Sequence, residues 1–164
     1  MQALGRHLLL ELFDCDAEAL NSLETVKASM VEAAKRAQAT IVDVVFHEFN
    51  PFGISGVVVI AESHLAIHTW PEYRFAAVDI FSCGDVLQPH TAANYLVEQF
   101  GAARASVVEL QRGIFLQASP MPHKPAGARA TGAKVPGAGV SGARVPVAKV
   151  PGAKVPGAKV PVGG

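Results

Sequence analysis

The architecture of this chain is clearest in residues 40–83, which read TIVDVVFHEFNPFGISGVVVIAESHLAIHTWPEYRFAAVDIFSC. Four segments rich in β-branched and aromatic residues follow one another here, and short turns separate them. Asn50-Pro51 and Gly53 form the first turn, and Pro71 opens the last one. Parallel strands need long crossover connections. The short turns therefore predict a mainly antiparallel sheet and exclude a doubly wound parallel one.

The flanking sequence adds two helices and two more strands. Strand composition is found in residues 4–13 and 105–115, and helical periodicity in residues 16–37 and 89–101. Asp16 is a suitable N-cap for the first helix. The resulting order, β-α-β-β-β-β-α-β, predicts an α+β fold. We expect a two-layer sandwich in which both helices cover one face of a mostly antiparallel sheet.

Charge divides the chain into an acidic part and a basic part. All 14 acidic residues lie at or before Glu109, and seven of the 14 basic residues lie from Lys124 onward. Residues 1–123 therefore carry a net charge of −7, and residues 124–164 carry +7. We predict one folded domain over residues 1–123, followed by a low-complexity basic tail over residues 124–164.

The tail repeats a unit close to Val-Pro-Gly-Ala-Lys with a period of five residues. It has no aromatic or acidic residue, and its prolines are incompatible with a helix or a central strand. Such a composition cannot bury enough apolar surface to offset the ordering entropy, so we predict disorder. Isolated charges without stacking aromatics form a poor nucleic-acid footprint, and no nucleic-acid partner is expected.

Composition also bears on the cellular compartment. No apolar run is long enough to span a bilayer, and the start MQALGRHLLLELFDCD has no small-residue cleavage site. The two cysteines, Cys15 and Cys83, do not make a disulfide framework and are predicted to be reduced thiols. These features predict a cytoplasmic protein that does not associate with a membrane.

Polar residues cluster in the hairpin that follows Ser63. Because side chains alternate along a strand, His64 and His68 share one face. Pairing through the short turn near Glu72 places His68 opposite a residue near Ala76 or Ala77. The same register brings Cys83 close to the start of the histidine-containing strand, and so to Ser63. The spacing therefore predicts one cluster that contains Ser63, His68 and Cys83.

Three interpretations compete for this cluster. A hydrolytic triad of Ser63, His68 and Asp79 would lack the G-x-S-x-G elbow and a Gly-rich oxyanion loop. A zinc site formed by His64, His68 and Cys83 is disfavoured, because strand residues four apart are separated by about 13 Å. No metal site is therefore predicted. In the third interpretation these are ordinary hydrogen-bonded polar residues of a sheet.

Three segments between Leu4 and Pro122 give the chain a resemblance to a known family. They read LGRHLLLELFDCD, ISGVVVIAESHLAIHTWPEYRFAAVDIFSCG and VVELQRG. Together they closely resemble the S-adenosylmethionine decarboxylases of bacteria and archaea. The string E-S-H-L-x-I-H-T-W-P-E is specific, because no generic structural need produces it. Arg74 and Phe75 stand where family members often have Gly and Tyr, and the tail has no counterpart.

The resemblance implies an enzyme that makes its own pyruvoyl cofactor. Ser63 Oγ attacks the carbonyl carbon of Glu62, and β-elimination then cuts the chain between these residues and leaves a pyruvoyl group at position 63. His68 is implied to be the base for this processing, and Ser55 to hold the oxyanion. The pyruvoyl carbonyl forms a Schiff base with the substrate amine and acts as an electron sink when CO₂ leaves. Cys83 is implied to return a proton to the α-carbon.

The resemblance also implies a substrate and an assembly. Phe49 stacks on the adenine or lies near the sulfonium of S-adenosylmethionine, and Glu72 accepts hydrogen bonds from the ribose. The product is the aminopropyl donor for spermidine synthesis, and the expected assembly is a homodimer of processed protomers with sites at the interface. Two alternatives are a pyruvoyl decarboxylase of ornithine or arginine, which would not need Phe49 and Glu72, and an unprocessed regulatory paralogue. The intact set Glu62, Ser63, His68 and Cys83 argues against the paralogue.

Overall fold

The structure is a computed structural model that describes residues 2–83 and 86–115. Its strands are β1 (Gln2–Phe13), β2 (Ile41–Glu48), β3 (Ile54–Ile60), β4 (Ser63–Trp70), β5 (Phe75–Cys83) and β6 (Arg104–Phe115). Its helices are α1 (Ala17–Leu20), α2 (Leu23–Arg36) and α3 (Pro89–Gln99), and a short 3-10 helix spans Pro71–Tyr73. The strands form one sheet in the order β2-β3-β4-β5-β1-β6, and all neighbours are antiparallel. The predicted α+β class is confirmed.

Burial alternates along β4 and β5, as the sequence predicts. Leu65, Ile67 and Thr69 of β4 are buried, whereas the residues between them are half-buried or exposed. In β5 every second residue from Ala76 to Ser82 is buried in the same way. Two-residue alternation is the pattern of a strand with one face on the core. This face of the sheet therefore carries the core side chains.

Helices α2 and α3 contact each other and supply the other half of that core. The helical periodicity predicted for this segment is confirmed in α2, where Val26, Met30 and Ala33 are fully buried. Full burial of a side chain the size of Met30 contributes about 1.5–3 kcal/mol. Both helices lie on the same side of the sheet, which confirms the predicted two-layer arrangement.

The single helix predicted over residues 16–37 is wrong, because the chain breaks between α1 and α2. Asp16 caps α1 and accepts hydrogen bonds from two first-turn amides at 2.9 and 3.3 Å. Ser22 caps α2 and accepts a third at 3.2 Å. Between the two helices, the Asn21 side chain accepts a hydrogen bond from the Gly53 amide at 3.2 Å. The break thus ties the helical layer to the turn between β2 and β3.

Opposite the helices, the sheet has a face that no described helix covers, which we call the open face. It carries the remaining alternate side chains of β4 and β5, among them His64, His68, Asp79 and Phe81. Within the described residues no helix is both long and apolar enough to cross a membrane. The predicted disorder of residues 124–164 lies outside the part of the chain that the structure describes.

Candidate active site

Ala61 and Glu62 form the two-residue turn between β3 and β4, so Ser63 is the first residue of β4. Thr40 holds one side of this turn. Its amide donates to Glu62 Oε2 at 3.1 Å, and its carbonyl accepts from the Ala61 amide at 2.8 Å. On the other side, the Cys83 amide donates to the Glu62 carbonyl oxygen at 2.9 Å. The carbonyl that precedes Ser63 is therefore fixed against a hydrogen-bond donor.

The Ser63 side chain is half-buried and contacts the next residue. Its Oγ lies 3.3 Å from Nδ1 of His64. The backbone φ of Ser63 is 157°, a value that residues with a side chain rarely adopt. Ser63 pairs with Ser82 across the β4–β5 ladder, which places Cys83 one residue further on. The predicted proximity of Cys83 to Ser63 is confirmed, and we call residues 61–64 together with Ser82 and Cys83 the cleavage end.

Ser82 differs from the other buried hydroxyls near the site. It is fully buried, and its Oγ has no hydrogen-bond partner among the described residues. Thr69, which is also buried, donates to the Leu20 carbonyl at 2.9 Å and accepts from the Ile54 amide at 2.8 Å. Buried polar groups almost always have a partner, so the unpaired hydroxyl opposite Ser63 is unusual.

Ser55 and His68 form a second polar group at the far end of the β3–β4 ladder. They are cross-strand partners, and Ser55 Oγ lies 2.7 Å from His68 Nδ1. On its other side His68 pairs with Ala77, as predicted. The structure therefore joins the two residues that the family resemblance assigns to processing, and it leaves the His68 ring exposed.

The two predicted substrate residues lie near this second group, at chain turns. Phe49 follows β2, is 49% exposed and packs edge-on against the His47 ring with centroids 4.7 Å apart. Glu72 is exposed on the short 3-10 helix that follows Trp70. The Trp70 ring is tilted relative to the His68 ring, and the two ring centroids are 6.3 Å apart. We call Phe49, Ser55, His68 and Glu72 the recognition end.

The prediction that His68 joins Ser63 and Cys83 in one cluster is wrong within a single chain. Ser63 pairs with Ile60 at one end of the β3–β4 ladder, and His68 pairs with Ser55 at the other. Five strand residues span about 16 Å. Cys83 therefore lies next to the cross-strand partner of Ser63, whereas His68 of the same chain cannot reach Ser63.

Arg74 stands between the recognition end and β1. Its backbone is left-handed, with φ 51° and ψ 40°, which explains why a glycine is suited to this position. Its guanidinium turns away from Glu72: Nε donates to the Cys15 carbonyl at 2.7 Å, and Nη2 approaches the Asp14 carbonyl at 3.3 Å. The Arg74 side chain therefore anchors the turn to the end of β1 and forms no ion pair with the Glu72 carboxylate.

The structure brings together neither the hydrolytic triad nor the zinc site considered for these residues. Asp79 Oδ1 lies 3.3 Å from Nε2 of His7, so the carboxylate faces a different histidine from the one that a triad needs. Among the described residues, no three His, Cys, Asp or Glu side chains are grouped to hold a metal ion. Both cysteines are free thiols, as predicted. Burial raises the pKa of Cys15 to about 11, so this thiol is unreactive at neutral pH.

His64 is the residue that the sequence interpretation missed, since it considered this side chain only as a zinc ligand. Burial lowers the pKa of the His64 imidazole below its usual value. The interaction with His7 lowers this pKa further, while the Asp79 carboxylate raises it. The imidazole beside Ser63 is therefore neutral at physiological pH. Its place directly after the serine that the family resemblance assigns to processing was the available signal.

Comparison with known proteins identifies the family. A model of the S-adenosylmethionine decarboxylase family matches residues 6–113 of this chain. The chain belongs to this family. The S-adenosylmethionine decarboxylase proenzyme of Thermodesulfovibrio yellowstonii is 60% identical over 125 residues, which are 76% of this chain and 93% of that protein. The proenzyme of the same name from Acetivibrio thermocellus is 53% identical over 115 residues, covering 70% of this chain and 93% of that protein.

A solved structure agrees with this assignment. The crystal structure of the adenosylmethionine decarboxylase from Aquifex aeolicus matches with a TM-score of 0.68 and 34% sequence identity, covering 74% of this chain and 100% of that chain. In the S-adenosylmethionine decarboxylase family the pyruvoyl group is formed from a serine. Ser63 suits that origin, because its hydroxyl adjoins a neutral imidazole and the preceding carbonyl already accepts a hydrogen bond.

Proposed function

We propose that this chain decarboxylates S-adenosylmethionine with a pyruvoyl group that it makes from Ser63. The observation that carries the proposal is the cleavage end, where the Cys83 amide holds the Glu62 carbonyl at 2.9 Å beside the Ser63 hydroxyl. Once formed, the pyruvoyl group supplies the electron sink that decarboxylation of an α-amino acid requires. The decarboxylated product is the aminopropyl donor for spermidine synthesis.

The first step of processing needs an acceptor for developing negative charge. When Ser63 Oγ attacks the Glu62 carbonyl carbon, the charge accumulates on an oxygen that the Cys83 amide already contacts. Ser55 adds a hydroxyl donor, and His68 acts as a base in the β-elimination that follows. The 2.7 Å contact between Ser55 and His68 supports their action as a pair.

The distance between the two ends supports a homodimer. His68 lies about 16 Å along β4 from the Ser63 of its own chain, and Ser55 is its partner on β3. The pair therefore reaches a Ser63 only in a second copy. A two-fold axis that joins the cleavage end of one protomer to the recognition end of its partner completes two identical sites. The open face, which no described helix covers, is the surface available for this contact.

Substrate recognition and proton return are divided between the same two ends. Phe49 offers an exposed aromatic face to the adenine or to the sulfonium charge, and Glu72 offers an unhindered carboxylate to the ribose hydroxyls. Cys83 is half-buried next to the strand that begins with Ser63, and its thiol donates the proton to the substrate α-carbon. A thiol in this role requires a reducing compartment, which favours the cytoplasm.

A substrate panel tests the proposed activity. Purified protein is incubated with carboxyl-labelled S-adenosylmethionine, ornithine, arginine and lysine, and released CO₂ is counted. We expect release from S-adenosylmethionine alone, because simple amino acids fill neither the Phe49 nor the Glu72 subsite. Release from ornithine or arginine, with none from S-adenosylmethionine, would overturn the proposal. Chain cleavage without release from any of the four would overturn the substrate assignment only.

A further inference from the structure

We propose that His64 accepts the proton of the Ser63 hydroxyl while that hydroxyl attacks the Glu62 carbonyl, and that it does so within its own chain. The inference rests on the proposed processing at Ser63 and names a second histidine for it. Processing removes two protons, one from the Ser63 Oγ and a later one from the Ser63 α-carbon. His64 serves the first transfer, and His68 of a second copy serves the other.

Position favours His64 for the first transfer. Its Nδ1 is 3.3 Å from Ser63 Oγ, and among the described residues no other side chain is within hydrogen-bonding distance of that oxygen. His68 of the same chain is about 16 Å away. A general base must lie within reach of the proton that it removes, either directly or through one water.

Neighbouring rings hold the His64 imidazole in place from two sides. The Phe81 ring of β5 lies 5.9 Å away between centroids, and the His7 ring of β1 meets it edge-on at 6.4 Å. His7 is itself fixed, because Arg112 of β6 donates to its Nδ1 at 3.1 Å. Its Nε2 lies 3.3 Å from Asp79 Oδ1, at ion-pair distance but without hydrogen-bond geometry.

Electrostatics keep this imidazole able to accept a proton. The charged groups around it are His7 on β1 and Asp79 on β5, with Arg112 of β6 behind His7. Burial and His7 together outweigh Asp79, so the pKa of His64 lies below its usual value. A neutral imidazole with its hydrogen on Nε2 has the Nδ1 lone pair free for the Ser63 hydroxyl.

The protons balance within the chain. The bond from Ser63 Oγ to the Glu62 carbonyl carbon forms as the hydroxyl proton passes to His64 Nδ1. Negative charge on the carbonyl oxygen is held by the Cys83 amide. The bond between the Glu62 carbon and the Ser63 nitrogen then breaks, and the His64 proton passes to that nitrogen, which leaves as an amine. The product is an ester, and His64 is neutral again.

The test measures cleavage and not decarboxylation. Full-length chain is made by pulse-labelled cell-free synthesis, and the conversion to two fragments is followed with time at pH 7.5. His64→Gln keeps a hydrogen-bonding side chain that cannot take up a proton, and we expect cleavage to be at least tenfold slower. His64→Ala should be equally slow and partly restored by added imidazole. His90→Gln is the matched control, because His90 is exposed on α3 and bonds to Glu109; it should cleave at the wild-type rate.

Cleavage of His64→Gln within twofold of the wild-type rate would overturn the inference. If the wild type itself is not cut, the proposed function fails instead, so the two failures are distinguishable. A melting curve of Ser63→Ala with and without His64→Gln checks folding. If His64→Gln does not fold, Asp79→Asn tests the inference instead. This variant removes the carboxylate that raises the His64 pKa. The acid limb, which is the fall in cleavage rate at low pH, should therefore move to lower pH. An unmoved limb contradicts the role of His64.

Co-expression separates action within a chain from action between chains. A Ser63→Ala chain is produced together with a differently tagged His64→Gln chain, and the second chain should stay slow to cleave, because its own His64 is missing. The same Ser63→Ala chain should restore cleavage of a His68→Gln chain, since its intact His68 reaches the partner's Ser63. Restoration of the His64→Gln chain by its partner would show that the base acts between chains and would overturn the inference.

Discussion

The two ends of β4 carry similar polar residues, but they hold them in different ways. At the cleavage end, a backbone hydrogen bond fixes the Glu62 carbonyl, and the buried Ser82 hydroxyl has no partner within residues 2–83 and 86–115. At the recognition end, Ser55 and His68 bond to each other and stay accessible, and Glu72 is exposed. The end proposed for cleavage is therefore fixed within one chain. The end that carries the predicted substrate residues Phe49 and Glu72 is left accessible.

Removal of the Ser63 hydroxyl should have the largest effect, because it removes the nucleophile of the cleavage end. Wild-type protein should consist of fragments of 62 and 102 residues, the larger with a blocked N-terminus. Ser63→Ala should remain a single chain of 164 residues without decarboxylase activity. Intact-mass measurement distinguishes these outcomes. An active wild-type protein that consists of one intact chain would contradict the assignment of Ser63.

Replacement of the Cys83 side chain should separate the two chemistries of the cleavage end. The Cys83 amide, which contacts the Glu62 carbonyl, is retained in Cys83→Ala, so cleavage should continue. Turnover should fall to a small fraction, since the proton donor is lost. Mass spectrometry should also detect the substrate amine transferred to the pyruvoyl group, which inactivates the protein. A variant that turns over at the wild-type rate would mean that another group supplies the proton.

Changes at Phe49 and Glu72, the two predicted substrate residues of the recognition end, should weaken substrate binding and leave cleavage intact. Phe49→Ala and Glu72→Gln should each raise KM for S-adenosylmethionine. The loss of a charged hydrogen bond or a stacking contact should weaken the binding free energy by roughly 1–3 kcal/mol. Steady-state kinetics on the processed variants measures this. Tyr73→Ala is a suitable control, since Tyr73 is 74% exposed beside Glu72. Unchanged KM in both variants would remove these residues from the substrate site.

Arg74 should affect stability slightly and substrate binding not at all. Arg74→Gly relieves a left-handed backbone strain of about 1–2 kcal/mol. It also loses the hydrogen bond from Nε to the Cys15 carbonyl, which is worth about 1.5–3 kcal/mol for a charged donor. The net change in unfolding free energy should be a loss of about 1 kcal/mol, measured by denaturant titration. An altered KM would show that the guanidinium acts on Glu72 after all.

Removal of residues 124–164 should have the smallest effect. Their repeated Val-Pro-Gly-Ala-Lys unit predicts no core contact, so we expect truncation after His123 to be tolerated. Melting temperature, cleavage and dimer formation should match those of the full-length chain. A drop of several degrees, or a failure to dimerise, would show that the basic tail packs against the acidic domain.

Alternation and turn spacing are local properties, and they predicted the sheet and the proximity of Cys83 to Ser63. The helix break at Asn21 was not predictable, because its side chain bonds to Gly53, which lies 32 residues away in sequence. The burial of the Ser82 hydroxyl also depends on contacts between segments that are distant in sequence. The separation of Ser63 from His68 was predictable from the rise of a strand. The same spacing per residue that separates His64 from His68 by about 13 Å also separates Ser63 from His68.

Strand order has a consequence for the protein after it is cut. The proposed cleavage after Glu62 would leave β1, β2 and β3 on one fragment and β4, β5 and β6 on the other. In the sheet, β1 of the first fragment lies between β5 and β6 of the second, and β3 lies beside β4. Three of the five strand pairings among the described strands therefore join the two fragments. Their hydrogen bonds would hold the fragments together without a peptide bond. Unfolding frees two separate chains, so refolding becomes bimolecular and dependent on protein concentration. The uncut chain folds as a single molecule, and the mature enzyme should be unable to repeat that folding reaction with the same ease.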